Sequence, residues 1–337
     1  MTSRRHFIGA AAATMLAGAS TTARAADSTP AADSRKFRLG LSQPKDSPNY
    51  LRLKEMADRI AEDTRGAIAI EIFPESQLGN DSAMIAMVQK GELEMYLGGN
   101  VFGPLVPMTE MPGLPFTFRN SPAVFEALDN DLGDIIRAEL AAKGLHAFRY
   151  GFDNGFHQIT TSNKPIRTVD DLAGMKIRTP VQTMTVEFFQ ALGAKPMTFT
   201  LNKLYEVCKD RTVDGQTDPL QIVVLLKLDE VQAYLSLTNH WWSGFTLVAN
   251  EKAWNALPDG IRSKIEMHAK AAALLQRQDV QLIDGGAVEL LRGKGMIVNT
   301  ADTSGFRKPL SAFYARWKGI YGDKAWAALE ARVGKLV

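Results

Sequence analysis

"DLAGMKIRTP", residues 171–180, decides how the middle of this chain is read. Met175 and Ile177 alternate with Lys176 and Arg178. That period of two predicts a short half-buried strand over 175–178, entered through Gly174 and stopped by Pro180. The residues that follow, "TPVQTMTVEFFQALG", have helical spacing. Arg178 therefore stands where a strand gives way to a helix. One reading is a solvated charge at a strand end. The other is a guanidinium held on a rigid element to grip a carboxylate, whose geometry its planar fork matches.

Working outward, the pattern repeats. Toward the N-terminus, "KFRLGLSQP" (36–44), "AIAIEIFP" (67–74) and "LEMYLGG" (93–99) read as strands. The segments between them, 47–66 and 81–92, carry apolar residues at helical spacing. This β-α-β-α-β order predicts a parallel sheet with crossover helices. The proline-rich "FGPLVPMTEMPGLPFTFRN" (102–120) reads as a loop over the surface, and 121–144 as helices. "LHAFRYGFDNGFHQITTSN" (145–163) reads as strand, Gly-rich turn, strand. A second α/β unit follows. "AKPMTFT" (194–200) is a strand, 201–212 a helix and "VDGQTDP" (213–219) a turn. Residues 221–239 read as helical in their middle, 244–250 as a strand, 258–295 as a long helix and 296–299 as a last strand before a helical tail. Two α/β units with later segments packing back leave a cleft between lobes, a common place for a ligand.

Composition narrows the function. The 337 residues are 45% apolar and 23% charged, ordinary globular values. A net charge of +2 gives no basic field for nucleic acid. The prefix "TSRRHFIGAAAATMLAGASTTARA" joins paired arginines, an apolar run and the small-x-small site 23–25, so residues 1–25 read as an export signal. Ser3 to Ile8 has the look of a twin-arginine signal, with general secretion as the alternative. The prefix holds three arginines and no acid, which takes 39 basic residues to 36 against 37 acidic, a net of −1. The single cysteine, Cys208, cannot form an internal disulfide and falls in an apolar helical phase. There is no CxxC, HExxH or GxSxG, and the five histidines are scattered. Polar and aromatic groups instead gather near strand ends: Asn154, Phe156 and His157; Asp214, Gln216 and Asp218; His240, Trp241, Trp242 and Phe245.

In order and spacing, "DNGFHQITTSNKPIRTVDDLAGMKIRTP", "FQALGAKPMTFTLNKLYEV", "VDGQTDPL", "EVQAYLSLTNH" and "WNALP" resemble the solute-binding proteins of tripartite ATP-independent periplasmic (TRAP) transporters, DctP type. "LGLSQPKDSPNY", "EIFPESQLGND" and "LPFTFRN" extend the likeness over nearly the whole chain beyond the prefix. The resemblance implies a two-lobe α/β periplasmic binding protein fold with a ligand cleft and a long C-terminal helical region. The expected lobes are 36–155 with about 244–283, and 156–243 with about 284–337. It implies a non-catalytic periplasmic protein that closes on a small organic acid and delivers it to small and large membrane permease subunits. A sensor in place of the permease is the alternative. The family's arginine for the substrate carboxylate falls on Arg178.

Four positions depart from the family pattern. His157 stands where an arginine is common, Leu201 where a phenylalanine is common, and "DGQTDP" replaces "DGQENP", so Thr217 replaces a glutamate and Asp218 an asparagine. At the positions that commonly face the ligand in the family, one cation is lost and one anion gained. That favours a monocarboxylate, such as a 2-oxo or hydroxy acid, over a dicarboxylate. A zwitterion of ectoine or amino-acid type, or a sugar acid, is the alternative. The expected ligand contacts are Arg178, Asp218, His157, Phe156, Asn154, Gln216, Trp241, Trp242, Leu201 and Gln43. No cofactor or resident metal is expected, and a ligand-bridging cation such as Ca2+ or Na+ is left open.

Overall fold

The computed structural model describes residues 34–336. The export signal expected over 1–25 lies outside them. The first unit follows the sequence pattern: β1 (Arg35–Leu41), α1 (Pro48–Asp63), β2 (Ile68–Phe73), α2 (Asp81–Lys90) and β3 (Met95–Gly98). β1 pairs parallel with both β2 and β3. α1 starts because the Ser47 hydroxyl caps Tyr50 N at 3.2 Å and Pro48 sits in its first turn. It ends where Arg65 and Gly66 take positive φ. Its apolar face, Leu53, Met56, Ala57 and Ile60, is buried.

Then come α3 (Ser121–Leu128), α4 (Asp131–Ala141), β4 (Leu145–Ala147) and β5 (Phe152–Thr161). β6 (Lys176–Thr179), α5 (Thr183–Ala191), β7 (Lys195–Thr198), α6 (Leu204–Lys209), β8 (Gly215–Pro219) and α7 (Leu220–Leu225) form the second unit. The chain closes with β9 (Tyr234–Leu237), β10 (Trp242–Asn250), α8 (Glu251–Asn255), α9 (Asp259–Gly293), β11 (Ile297–Thr300), α10 (Ser311–Tyr321) and α11 (Asp323–Val333). The main sheet path is β2-β1-β3-β10-β5-β8-β6-β7, with β4 on β10, and β9 joining β5 to β11.

The two halves meet along β10 and β5, which pair antiparallel. The expected changes of lobe, at 155/156, 243/244 and 283/284, all fall inside β5, β10 and α9. Those three elements run through both halves. α9, at about 1.5 Å per residue, is roughly 52 Å long. It is tied to β5 by Gln276, whose fully buried amide accepts from Asp153 N and donates to Asp153 O, both at 2.7 Å.

Four expectations are corrected. "FDNGFHQ" is not a turn but the first part of β5. "VDGQTDP" is mostly β8, a buried strand between β5 and β6. Gly215 is needed there because a Cβ would lie 2.4 Å from Thr160 O. Ladder pairing on both sides overrides the turn preference of Asp-Gly. In 221–239, read as helical in the middle, the α-helix instead lies at the start, as α7, and Tyr234–Leu237 at the end form β9. The proline-rich segment is not a surface loop. Its 3₁₀ helix Pro107–Gly113 buries Thr109, Glu110, Met111, Pro112 and Gly113, with Met111 in the main core.

Glu110 in that segment is 2% exposed and accepts a hydrogen bond from Met184 N at the start of α5. Gly103 makes room for it, since a Cβ there would overlap the carboxylate. Burial, with Glu187 nearby, pushes the Glu110 carboxyl up to about 7. A carboxyl raised on folding stabilises the fold below its unfolded pKa and loses that contribution as pH rises through its folded value. Stability should therefore fall by about 1 kcal/mol between pH 6 and pH 8 from this group. Glu110→Gln should flatten that part of the pH profile of urea unfolding, and an unchanged slope would show that Glu110 does not titrate there.

Candidate ligand cleft

The cleft lies at the join of the halves and encloses about 710 Å³ counting its open mouth. Arg178 reaches it from β6, a strand held between β7 and β8. Strand alternation buries Ile177 on one face and puts Lys176 and Arg178 on the other, where Lys176 is exposed at the start of the strand and Arg178 is buried. Arg178 is 2% exposed. Its Nε and NH2 donate to Phe199 O at 3.0 and 2.8 Å, and NH1 donates to Asp218 Oδ2 at 2.8 Å. Three of its five N–H groups are engaged by these bonds, and two are not. The solvated strand-end reading is excluded by this burial.

Asp218, on β8, is the direct partner of Arg178. Burial pushes its carboxyl up to about 6 while the guanidinium pulls it down. Burial likewise lowers Arg178, against the attraction of Asp218. The close contact and the intrinsic basicity of a guanidinium keep this a charge pair near neutral pH. Cys208, also buried nearby, has its thiol pushed up to about 12 by burial and stays protonated.

Asn154 and His157 come from β5, three residues apart, which regular alternation would place on opposite faces. Two irregularities bring both to one hydroxyl. Gly155 takes φ +101°, and the β5–β10 register shifts between Ser243 and Gly244. Such shifts re-aim side chains. Asn154 Nδ2 donates to Ser243 Oγ at 2.9 Å, and His157 Nε2 lies 2.8 Å from the same oxygen. His157 is held neutral by burial, with His240 and Arg178 adding to the downward shift and the Thr217 backbone opposing it. Gln43, Leu201 and Asp81 complete the parts of the wall used below. Asp81 accepts from Tyr96 Oη at 2.6 Å. It is not the cap of α2, as its place in the sequence suggests; Asn80 caps Ala83 N instead.

Of the expected contacts, Arg178, Asp218, His157, Asn154, Leu201 and Gln43 line the cleft. Four do not. Gln216 is fully buried behind it and donates to Thr160 Oγ1 at 2.9 Å. Phe156 packs against the core beside Trp242. Trp242 Nε1 donates to Asp153 Oδ1 at 2.8 Å, and its ring meets Phe125 edge-on. Trp241 packs edge-on to His157 with ring centres 4.9 Å apart, so it backs the site without facing it. Ser243 and Asp81 were missed. Their only sequence signals were the "WWSGF" glycine and the polar start of a helix. Three of the departures from the family pattern meet here: His157 Nδ1 lies 3.1 Å from Thr217 Oγ1, beside the Asp218 that pairs with Arg178.

Two α/β halves joined by shared strands, with a buried arginine in a cleft between them, define a two-lobe ligand-binding protein. The chain belongs to the bacterial extracellular solute-binding proteins, family 7 (DctP), whose model matches residues 39–319. It is 33% identical over 267 residues to the 2,3-diketo-L-gulonate-binding periplasmic protein YiaO of Escherichia coli K12, covering 77% of this chain and 81% of that protein. Its fold is similar to a TRAP periplasmic solute-binding protein from Polaromonas sp. JS666 bound to D-erythronate, with TM-score 0.83, 28% identity, and 88% and 98% of the two chains covered. It is also similar to one from Roseobacter denitrificans with bound β-D-glucuronate, with TM-score 0.84, 25% identity, and 89% and 99% covered. Among the described residues no helix is long and apolar enough to cross a membrane.

Removing Arg178 alone would strand a buried carboxylate. Arg178→Ala should cost about 3 kcal/mol of stability, and more at pH 8 than at pH 5, because Asp218 then folds most easily protonated. Arg178→Ala/Asp218→Asn should recover most of the loss in urea unfolding. If the single variant is as stable as wild type at both pH values, the pair carries no net interaction.

Proposed function

We propose that the cleft captures a small hydroxylated or 2-oxo monocarboxylate and that closure of the halves delivers it to the small and large membrane subunits of a TRAP permease. The role is binding without turnover, with no resident cofactor, after export through the signal expected over residues 1–25, by the twin-arginine route. The observation that carries this reading is the charge of the wall. One guanidinium with two uncommitted N–H groups faces a cleft whose other charged lining groups are the carboxylates Asp218 and Asp81.

A ligand carboxylate would take the free N–H groups. A second ligand carboxylate would meet Asp81 or Asp218 and be repelled. Ligand hydroxyls would find acceptors in those same carboxylates. The ligands named for the diketogulonate-binding relative and the erythronate-bound structure, monocarboxylates with oxo or hydroxyl groups, support this class. A zwitterion placing its ammonium on Asp81 is the second reading, favoured by the surplus of acidic wall groups.

Ligand-stripped protein should be melted with D-erythronate, gluconate, branched 2-oxo acids, succinate and amino acids, each with and without calcium. A saturating monocarboxylate should raise the midpoint by about 5 °C. A response confined to succinate, or to amino acids, would reject the monocarboxylate reading. Binding should also tighten as pH falls from 8 to 5, because protonating Asp218 near pH 6 removes the charge beside the bound carboxylate. Calorimetric titration across that range checks the sign, and Asp218→Asn should flatten it.

A further inference from the structure

Ser243 stands at the head of a chain of hydrogen bonds that leads away from the cleft into the core. Its Oγ lies 2.8 Å from His157 Nε2. His157 Nδ1 lies 3.1 Å from Thr217 Oγ1, which lies 3.0 Å from His240 Nε2. His240 Nδ1 ends the chain 2.7 Å from Thr238 Oγ1. Both imidazoles are buried. Burial holds His240 at about 3 and His157 well below the ordinary value, so each ring carries one proton.

A neutral imidazole donates from one nitrogen and accepts at the other, and a hydroxyl does both. The side-chain joints of the chain can therefore run in either direction with the same number of protons, and the Thr217 backbone, which also accepts from the His157 ring, weights the choice between them. In one direction Ser243 donates to His157 Nε2, His157 Nδ1 donates to Thr217, Thr217 donates to His240 Nε2, and His240 Nδ1 donates to Thr238. In the other, every donor and acceptor exchanges roles. The inner partner of Ser243 is fixed. Gln221 Nε2 donates to Asn154 Oδ1 at 2.9 Å, which orients the Asn154 amide to donate to Ser243 Oγ in both cases. What changes at the cleft is the free face of Ser243. It shows a lone pair in the first direction and an O–H in the second.

We propose that this relay sets ligand specificity by letting Ser243 offer an acceptor to a ligand hydroxyl or a donor to a ligand carbonyl. A serine alone could turn its hydroxyl, but here turning it without inverting the chain would leave a buried ring nitrogen unpaired. The tautomers of His157 and His240 thus record which kind of ligand oxygen sits against Ser243. Thr217 and His240 act as positioning residues that need not touch the ligand. The proposal rests on the reading of the cleft as an acid-binding site.

Nitrogen-15 NMR of histidine-labelled protein reads which ring nitrogen carries the proton. In the free protein, Thr217→Val removes the partner of His157 Nδ1 and should place the proton on Nε2. Ser243→Ala removes the partner of Nε2 and should place it on Nδ1. In wild type, saturation with D-erythronate and with 3,4-dihydroxy-2-oxobutanoate, which differ only at carbon 2, should give opposite tautomers. Thr217→Val should lower affinity for the hydroxy acid about tenfold relative to the oxo acid. Binding of both acids with one unchanged tautomer and an unchanged preference would overturn the relay. If the free variants invert as expected but wild type binds neither acid, the reversible chain stands and the acid-binding reading of the cleft fails.

Discussion

A guanidinium taken out of water must be answered by acceptors placed before it arrives. Here the answer comes from two strands flanking its own. The Phe199 carbonyl just past β7 holds one edge of Arg178, and Asp218 on β8 holds NH1. The parallel register, with Arg178 opposite Gln216 on one side and Met197 on the other, is what puts both acceptors in reach. A slip of one residue would turn Arg178 to the other face and leave Asp218 buried without its cation. The charge pair and the strand order therefore depend on each other, and the cleft inherits its polarity from both.

The rest of the wall is built from departures from regular strand geometry. β5 and β10 run between the halves and are the natural place for side chains from both to converge. A regular ladder could not bring Asn154, His157 and Ser243 together. The positive φ of Gly155 and the register shift at Ser243/Gly244 do so, at the point where the halves join. Behind them, Trp242 and Gln276 fix Asp153, so the irregular stretch is clamped from the side away from the ligand. The polar groups of the site are consequently rigid, which favours directional recognition of a small ligand.

Much of this was legible in the chain. The alternation around Arg178, the capped apolar helices and the β-α-β order predicted the sheet units, and the matching motifs placed the arginine. What was misread shares a cause. "FDNGFHQ" and "VDGQTDP" look like turns because Asp, Asn and Gly favour turns when nothing else competes for their backbone. In the folded chain each stretch lies against neighbouring strands that claim its N–H and C=O groups. The two tryptophans looked available for a ligand and are instead packing, one of them hydrogen-bonded to Asp153. The proline-rich segment looked exposed, yet its methionine and leucine complete the main core.

The sequence by itself determined the α/β units, the helix boundaries at caps and glycines, and the presence of one arginine on a short strand beside acidic and histidine-bearing segments. These follow from local periodicity and backbone preference, which act over a few residues. Only the tertiary structure decided that Asp218 pairs with Arg178, that Gln216 and the tryptophans face away, and that Ser243 and Asp81 face the cleft. Those outcomes depend on strand register and on bulges between segments up to about a hundred residues apart. No local pattern encodes them, because the energy that selects them arises only when buried polar groups from distant segments must find one another.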